Sequence, residues 1–376
     1  MNIACLLFDN ISETNGTTVR ARRIIDILQK YNDITLIYCD EDNKHALYSL
    51  PGIKLIPVFH IGRRKRESAY FLIRILAYIR WSFNVFFILA NKQWDVIFCA
   101  HDWFSFSALY FLSKIKGFKT VFDANTIMSE EGKELGFSWP RVKLEQINEM
   151  FVIKHADHVL ACSKNIYDHF SHYAKHIDLV PTFIDTDVFK KPVASPRRKE
   201  NGALMKVGMI GPFTSHVNNY SLDFVYTHLS EFDPRIHFVV IGECKQRIDS
   251  EYIQYTGYLA STNDYISQLS CLDAVLLPAI EATLGLCNKI IEPMACGIPV
   301  FTTPKGMVGL YWSEPGKDIF VYEANELVSK VNELIFDGER MRRAGENAQK
   351  VIEEYYSLRK YKELIIHIAS NLVLAP

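Results

Sequence analysis

The sequence predicts an α/β protein made of two doubly wound domains, and three observations support this fold class. The chain has 376 residues, more than one hydrophobic core usually organises. Short runs of apolar and β-branched residues alternate with segments of helical periodicity, as in βαβ units. The strand-like runs are apolar throughout, which favours parallel sheets covered by helices on both faces.

The first domain begins with a strand, a helix and a second strand. The strand-like runs are NIACLLF (2–8) and DITLIYC (33–39), and helical periodicity covers residues 18–30 between them. Three further strands are predicted at residues 95–100, 119–124 and 158–162. Parallel strands separated by helices form one sheet, so these segments predict a first domain over residues 1–189.

A linker and a second domain follow. The segment KKPVASPRRKENGA (190–203) is rich in proline, serine and charge, which is typical of a linker. Strand-like runs then resume at residues 205–211, 237–242, 273–278 and 298–303, and the chain beyond Phe320 has helical periodicity. The second domain is therefore predicted over residues 204–357.

Residues 62–93 combine a basic cluster with an apolar run that carries Arg74 and Arg80. Two arginines within such a run argue against a membrane-spanning helix. Two interpretations remain open. The segment forms helices that pack in the core, or it forms an interfacial patch with aromatic side chains and basic groups on anionic lipid.

Composition excludes several classes of function. Lys plus Arg total 42 and Asp plus Glu total 43, so no overall charge attracts nucleic acid. The eight cysteines lie in apolar runs without CxxC pairs, which predicts core residues and no metal site. The N-terminal residues read as a strand and not as a signal peptide, so we expect a cytoplasmic protein.

The stretch GLCNKIIEPMACGIPV (285–300) carries the strongest chemical signal. Lys289 and Glu292 follow the strand at 273–278, and the C-terminal ends of such strands form ligand sites. Pro293 predicts a helix that begins near Ile290 or is kinked there. Lys289 suits a diphosphate, and Glu292 can accept hydrogen bonds from two sugar hydroxyls. The alternative is an ordinary surface ion pair.

The pattern GxxxKxxE, followed by PMACGIPVFTTPKGMVGL, resembles a motif of the retaining glycosyltransferases of family four, which have the GT-B fold. The segments ETNGTTVRARRIIDIL, DVIFCAHDWFS, KTVFDANT, ADHVLACSKNIYDHF and LVPTFIDTDVFKKP resemble further landmarks of that family in their usual order. The resemblance implies two Rossmann-like domains facing a cleft. It also implies that a final helix (358–376) returns to the first domain.

The resemblance implies a set of site residues. Glu292 would bind the ribose, Lys289 the diphosphate and Tyr258 a turn that reads the base. The implied donor-binding residues are Gly16, Thr17, Gly211, Thr214, Ser215, Asn218, Tyr258, Glu281, Gly285, Leu286, Lys289 and Glu292. The candidate catalytic residues are Lys289, Asp123 and His101.

The sequence departs from the family pattern at three places. The loop GPFTSHVNNYS (211–221) lacks the Arg and Lys that many members have there. Leu284 occupies the position of a family glutamate, with Glu281 three residues before it, and Asn125 occupies the position of a family histidine. The donor-sugar contacts and the catalytic set therefore cannot all be the usual ones.

The function predicted on this basis is transfer of a sugar, with retention, from a UDP- or GDP-linked donor to an acceptor hydroxyl in surface glycan or glycolipid assembly. No metal or other cofactor is expected. Peripheral contact with the inner face of a membrane is expected through residues 62–93. Two alternatives stay open, a catalytically silent protein that binds a nucleotide sugar or a partner enzyme, and a sugar-nucleotide epimerase. An NAD-dependent oxidoreductase is disfavoured because GxGxxG follows neither first strand.

Overall fold

The computed structural model describes residues 1–9, 16–40, 51–59, 71–100, 102–134, 136–189, 203–213, 216–259, 261–279 and 287–374. The chain packs as two compact units, Met1–Pro181 with Tyr361–Pro376 and Thr182–Lys360. Each unit contains a parallel sheet with helices, which confirms the predicted fold class.

The first unit is built on a seven-stranded parallel sheet in the order β3-β2-β1-β4-β5-β6-β7. The strands are β1 (Asn2–Leu7), β2 (Asp33–Asp40), β3 (Ile53–Phe59), β4 (Val96–Ala100), β5 (Lys119–Ala124), β6 (His158–Ala161) and β7 (Ile177–Leu179). Strand β4 is buried along its whole length, as expected for a central strand covered on both faces.

The helices of this unit are α1 (Gly16–Leu28), α2 (Phe71–Ala90), α3 (Trp103–Lys116), α4 (Met128–Glu134), α5 (Trp139–His155) and α6 (Lys164–Phe170). Local capping explains the limits of α3. The Asp102 carboxylate accepts a hydrogen bond from the Ser105 backbone N–H at its start, and Gly117 ends it in the left-handed conformation with φ 80°.

The second unit contains a six-stranded parallel sheet in the order β10-β9-β8-β11-β12-β13. Its strands are β8 (Met205–Ile210), β9 (Ile236–Ile241), β10 (Ile253–Gly257), β11 (Ala274–Leu277), β12 (Val300–Thr302) and β13 (Phe320–Val321). The helices from here to the C-terminus are α7 (Thr186–Phe189), α8 (His216–His228), α9 (Thr262–Leu269), α10 (Asn288–Ala295), α11 (Ala324–Leu334), α12 (Gly338–Tyr355) and α13 (Leu358–Leu374).

Strand β9 shows why the strand segments are apolar throughout. Phe238 and Val240 belong to the core on one face of the sheet, while Val239 and Ile241 belong to the core on the other. Successive side chains of a strand point to opposite faces, so a sheet covered on both sides needs apolar residues at every position. The two cores therefore account for the sequence pattern that predicted them.

The boundary between the units lies at Pro181, before the predicted boundary at residue 189. Ile184 is bonded to the backbone of the second unit, because its N–H donates to the Tyr356 carbonyl at 2.8 Å and its carbonyl accepts from the Leu358 N–H at 2.7 Å. Phe189 is buried in the core of that unit. All of the predicted linker except Ala203 falls outside the described residues.

Four strands were not predicted from the sequence, namely β3, β7, β10 and β13. Strand β3 carries Lys54 and Pro57 and lies at the edge of its sheet, where proline is tolerated. Strands β7 and β13 have only three and two residues. Neither length nor apolar continuity marked these segments.

A glycine contact joins helix α12 to the turn after α10. A Cβ atom on Gly345 would lie 2.0 Å from the Gly297 carbonyl oxygen, so the two backbones approach too closely for any side chain. Gly297 itself has φ 74°, a left-handed conformation that favours glycine. The small-residue turn MACGIPV therefore packs directly against α12.

We predict that Gly345→Ala destabilises the protein by about 1–3 kcal/mol, because the added methyl group overpacks this contact. Gly338→Ala is the matched control. It lies in the same helix, and its Cβ would meet no atom within 4 Å. The measurement is the melting temperature by circular dichroism. Equal melting temperatures for the two variants would contradict the close contact.

Candidate functional site

At the C-terminal edge of the second sheet, glycines at the strand ends allow the backbones of neighbouring strands to approach closely. Gly211 and Gly242 directly follow β8 and β9, and Gly257 ends β10. The Gly211 N–H donates to the Ile241 carbonyl at 3.0 Å, and the Gly242 N–H donates to the Gly257 carbonyl at 3.1 Å. A Cβ atom on Gly242, which has φ 129°, would lie 2.1 Å from the Gly211 carbonyl oxygen. Ligands of open α/β sheets bind at this edge.

Lys289 lies at this edge, in the first turn of helix α10. Its Nζ donates a hydrogen bond to the Asn218 Oδ1, and the Asn218 Nδ2 donates to the Pro212 carbonyl at 2.9 Å. A Cβ atom on Gly211 would lie 3.4 Å from the Lys289 Nζ. The structure thus brings Lys289 together with Gly211 and Asn218, which precede it by at least 71 positions, although their binding roles stay predictions.

The electrostatic state of Lys289 is unusual for a lysine. Burial lowers the pKa of its amine below the ordinary value, because a charged group loses hydration there, and the neighbouring Cys287 thiol partly opposes this effect. The contact on Asn218 is with a neutral amide oxygen. A half-buried ammonium group bonded to an amide is suited to an incoming anion, which would offset its desolvation.

Glu292 lies on the same helix but contacts a different element. Tyr265 of α9 donates its hydroxyl hydrogen to the Glu292 Oε2 at 2.9 Å. Burial and then the nearby Glu292 carboxylate raise the pKa of Tyr265 well above its ordinary value, so this phenol remains a donor. The described contacts of Lys289 and Glu292 therefore differ from those of the simple ion pair that the sequence left open.

Helix α10 begins at Asn288 and continues through Pro293. The sequence predicts a start or a kink near Ile290, whereas the helix begins two positions earlier. Pro293 lacks the N–H that would bond to the Lys289 carbonyl four residues before it. Lys289 lies before Pro293, in the first turn of the helix, and is therefore close to the N-terminal N–H groups of α10.

Beyond β10, Tyr258 follows Gly257, whose φ is 73°, and is 62% exposed. Near this strand, a tyrosine pair that the sequence analysis missed secures the loop after β9. The Tyr226 and Tyr255 hydroxyls are 2.7 Å apart, and the Tyr226 hydroxyl donates to the Gln246 carbonyl at 2.9 Å. The sequence gives no indication of this contact, because Tyr226 lies in a helix and Tyr255 in a strand, and both are ordinary aromatic positions in those elements.

In the first unit, Asp123 lies at the end of β5 and is completely buried. Arg20 of α1 binds it with two nitrogens, from Nε at 3.0 and 2.9 Å to the two carboxylate oxygens and from Nη2 at 2.7 Å to Oδ1. A catalytic role for Asp123 stays a prediction, but both of its oxygens are engaged by a buried guanidinium group. Arg20 occupies the buried face of α1 together with Ile24, a spacing that signals a buried partner.

Gly16 and Thr17 form the start of helix α1. Gly16 is exposed, and a Cβ atom there would meet no atom of the described residues within 4 Å. The remaining predicted site residues, His101, Thr214, Ser215, Glu281, Gly285 and Leu286, lie outside the described residues.

The described residues contain neither a metal-binding cluster nor a membrane-spanning helix. No group of three or more His, Cys, Asp and Glu side chains in these ranges is arranged to hold a metal ion. In the same ranges, no helix combines the length and the apolar character needed to cross a bilayer.

Comparison with known families shows matches in both units. Residues 14–188 match the family described as Glycosyltransferase Family 4, and residues 205–337 match the family described as Glycosyl transferases group 1. Together these matches cover most of the chain. No curated protein matches the sequence significantly.

Solved structures with the same fold include HepE from Anabaena in complex with UDP and glucose, with 15% identity and a TM-score of 0.73 over 98% of this chain and 99% of that one. Sucrose-phosphate synthase from Thermosynechococcus elongatus has 13% identity and a TM-score of 0.79 over 100% of both chains. WaaG, a glycosyltransferase involved in lipopolysaccharide biosynthesis, has 12% identity and a TM-score of 0.66 over 96% of this chain and 99% of that one.

We predict that Asp123→Asn destabilises the protein by about 3–5 kcal/mol, because it leaves the Arg20 guanidinium buried without a counter-charge. The matched control is Asp168→Asn, which removes the partner of Lys164 in an exposed pair and should change stability little. Thermal melting compares the two variants. A melting temperature for Asp123→Asn equal to that of the wild type would show that the pair is not structural.

Proposed function

Because the chain belongs to the group 1 glycosyltransferases of the GT-B fold, we propose that it moves a sugar from a nucleotide-diphosphate sugar to an acceptor hydroxyl, with retention at the anomeric carbon. The observation that carries this proposal is Lys289, whose amine lies in the first turn of α10 beside Gly211 and Asn218. A cation in the first turn of a helix, at the C-terminal edge of a sheet, suits a diphosphate.

Binding of the donor diphosphate follows from the state of the Lys289 amine. The amine is desolvated, its pKa is lowered, and its described partner is a neutral amide. An arriving diphosphate supplies negative charge to this position and raises the pKa of the amine again. Lys289 therefore holds the donor as a cation and forms a charge-assisted hydrogen bond.

Transfer breaks the bond between the anomeric carbon and the diphosphate oxygen, and the electron pair leaves with the diphosphate. Lys289 and the N-terminal N–H groups of α10 stabilise the negative charge that develops on this oxygen. The acceptor oxygen forms the new bond on the same face of the sugar and gives its proton to the departing diphosphate oxygen. No covalent intermediate on an Asp or Glu side chain is part of the proposal.

Glu292 binds the ribose in this proposal. One oxygen of its carboxylate accepts a hydrogen bond from the Tyr265 hydroxyl, and this bond orients the side chain toward α9. A carboxylate oriented in this way accepts hydrogen bonds from the two neighbouring ribose hydroxyls. The fixed orientation favours the ribonucleotide over its deoxy counterpart.

UDP- and GDP-linked sugars are the proposed donors. HepE, which is 16% identical to this chain, was solved in complex with UDP-glucose, and this complex makes a UDP-linked sugar the first donor to test. The part of WaaG in lipopolysaccharide biosynthesis supports a glycan or lipid-linked acceptor in surface glycan assembly. The proposed acceptor reaches the enzyme at a membrane surface, with contact through residues 62–93, of which 71–93 are described.

One observation favours a second candidate, a protein that binds the nucleotide sugar without turnover. Asn218, in the first turn of α8, lies in the segment where the family resemblance implies basic residues, and its amide oxygen accepts a hydrogen bond from the Lys289 amine. Among the described residues, Lys289 then supplies the cation for the leaving diphosphate. Release of free nucleoside diphosphate from a donor and acceptor mixture separates an enzyme from a silent binder.

We predict that UDP or GDP at about one hundred times its dissociation constant stabilises the protein by roughly 2.7 kcal/mol, seen as a higher melting temperature.

Glu292→Gln should weaken UDP binding far more than 2′-deoxy-UDP binding, because only the first ligand offers both hydroxyls. Tyr265→Phe is the control that keeps the carboxylate and removes the hydroxyl bonded to it. Equal losses for both nucleotides in Glu292→Gln would exclude the ribose contact.

We also predict that Lys289→Ala weakens nucleoside-diphosphate binding and slows transfer, since it removes the cation at the diphosphate. Asn218→Lys should restore part of the loss, because the two positions are in hydrogen-bonding contact and serve one anion. Lys330→Ala, which removes an exposed lysine of α11, is the control for overall charge. Binding is measured by calorimetry. If Asn218→Lys weakens binding further in the Lys289→Ala background, the shared site is wrong.

A further inference from the structure

Helix α2 is apolar on two opposite faces. Its inner face packs in the first unit through Ala77, Trp81, Val85 and Leu89, which are spaced by four residues and are at most 4% exposed. The Trp81 indole donates to the Asp102 carboxylate at 2.7 Å, which ties α2 to the start of α3. This face alone explains why α2 is part of the fold.

The outer face of α2 is also apolar although it faces solvent. Leu76, Ile79, Phe83 and Phe87 are between 50% and 63% exposed, and their spacing of three and four residues places them in one stripe. The Phe83 and Phe87 rings are in edge contact, with centroids 4.8 Å apart. Folding does not require such a stripe, because a solvent-facing stripe is normally polar.

Helices α3 and α5 extend the stripe into a wider surface. Phe111 and Ile115 on α3 are 63% and 79% exposed, and Leu144 and Ile147 on α5 are 58% and 59% exposed. Of the sixteen large apolar side chains that are exposed in the described ranges, nine lie on α2, α3 and α5. We call these outer surfaces of the three helices the three-helix face.

The three helices are direct neighbours. The Ser107 hydroxyl of α3 donates to the Asn148 side-chain oxygen of α5 at 3.2 Å. Tyr110 of α3 packs edge-on against Phe151 of α5, with centroids 5.5 Å apart. Because α2 is tied to the start of α3, the exposed apolar side chains belong to one continuous region of the first unit.

The charge on the three-helix face is positive. Helices α2 and α3 contain four Arg or Lys residues and no acidic residue. The two acidic residues of α5, Glu145 and Glu149, are buried, whereas its Lys143 and Lys154 are exposed. The whole chain has a net charge of −1, so this concentration of positive charge is local.

We propose that the three-helix face docks the protein on the surface of an anionic lipid bilayer. Exposed Phe, Leu and Ile side chains enter the boundary between headgroups and acyl chains, while Arg80, Lys114 and Lys143 contact anionic headgroups. A second copy of the chain is the less suitable partner, because a two-fold interface would bring two positive faces together. The inference rests on the proposed function only in that this bilayer would carry the acceptor.

The test measures binding of the full chain to sedimenting vesicles of phosphatidylcholine with 30% phosphatidylglycerol, and to pure phosphatidylcholine vesicles. We expect binding to the anionic vesicles only, weakened by added salt. Phe83→Ser with Phe87→Ser should lower the partition coefficient at least tenfold. Lys114→Glu with Lys116→Glu should lower it by more than about fivefold for each lysine.

The matched control is Tyr31→Ser with Leu204→Ser, which removes two side chains of similar exposure outside the three-helix face, 59% and 52% exposed. All variants are first compared by melting temperature, because exposed substitutions should leave the fold intact. Equal vesicle binding by the control and the Phe83/Phe87 variant would overturn the proposal. So would a wild-type dimer in light scattering that the Phe83/Phe87 variant alone abolishes.

Nucleotide binding separates this inference from the proposed function. The Phe83/Phe87 variant should keep the melting-temperature rise with UDP or GDP, measured without vesicles, while it loses vesicle binding. Vesicle binding in a wild-type protein that no nucleotide stabilises would contradict the proposed function and support the docking face. Nucleotide stabilisation without vesicle binding would support the proposed nucleotide-sugar site and contradict the docking face.

Discussion

The close approach of backbones at the C-terminal edge of the second sheet is the constraint on which the candidate site depends. Gly242 lies against the Gly211 carbonyl, and any side chain there would separate β8 from β9. The same edge places Gly211 within contact distance of Lys289 and Asn218. The candidate site therefore lies where glycines occupy the strand ends. Its cation, Lys289, comes from helix α10, which follows β11.

The two units place buried charge for different purposes. In the first unit, the Arg20 guanidinium and the Asp123 carboxylate neutralise each other and hold α1 on the end of β5. Such a pair adds little net stability over apolar residues, but losing one partner is costly. In the second unit, the Lys289 amine is desolvated against a neutral amide. An ammonium group whose described partner is a neutral amide can accept the charge of an anionic ligand.

The outer surfaces of α2, α3 and α5 follow neither pattern. Their inner faces form part of the core, and the exposed apolar side chains of the outer faces lie outside it. Positive charge accompanies them, because the acidic residues of α5 point inward. Overall composition hides this arrangement, since the total charge of the chain is close to zero. The sequence indicated an interfacial patch at residues 62–93, and the packing of the helices adds α3 and α5 to it.

The sequence by itself determined the α/β class, the parallel sheets and most strands, because apolar residues at every strand position require burial on both faces. It also placed Lys289 and Glu292 at a sheet edge, since that position follows from strand order alone. Only the tertiary structure decided the partners of these residues. Asn218 meets Lys289 across 71 positions and Arg20 meets Asp123 across 103. Pairings over such distances depend on how helices pack on the sheets, which local periodicity does not encode.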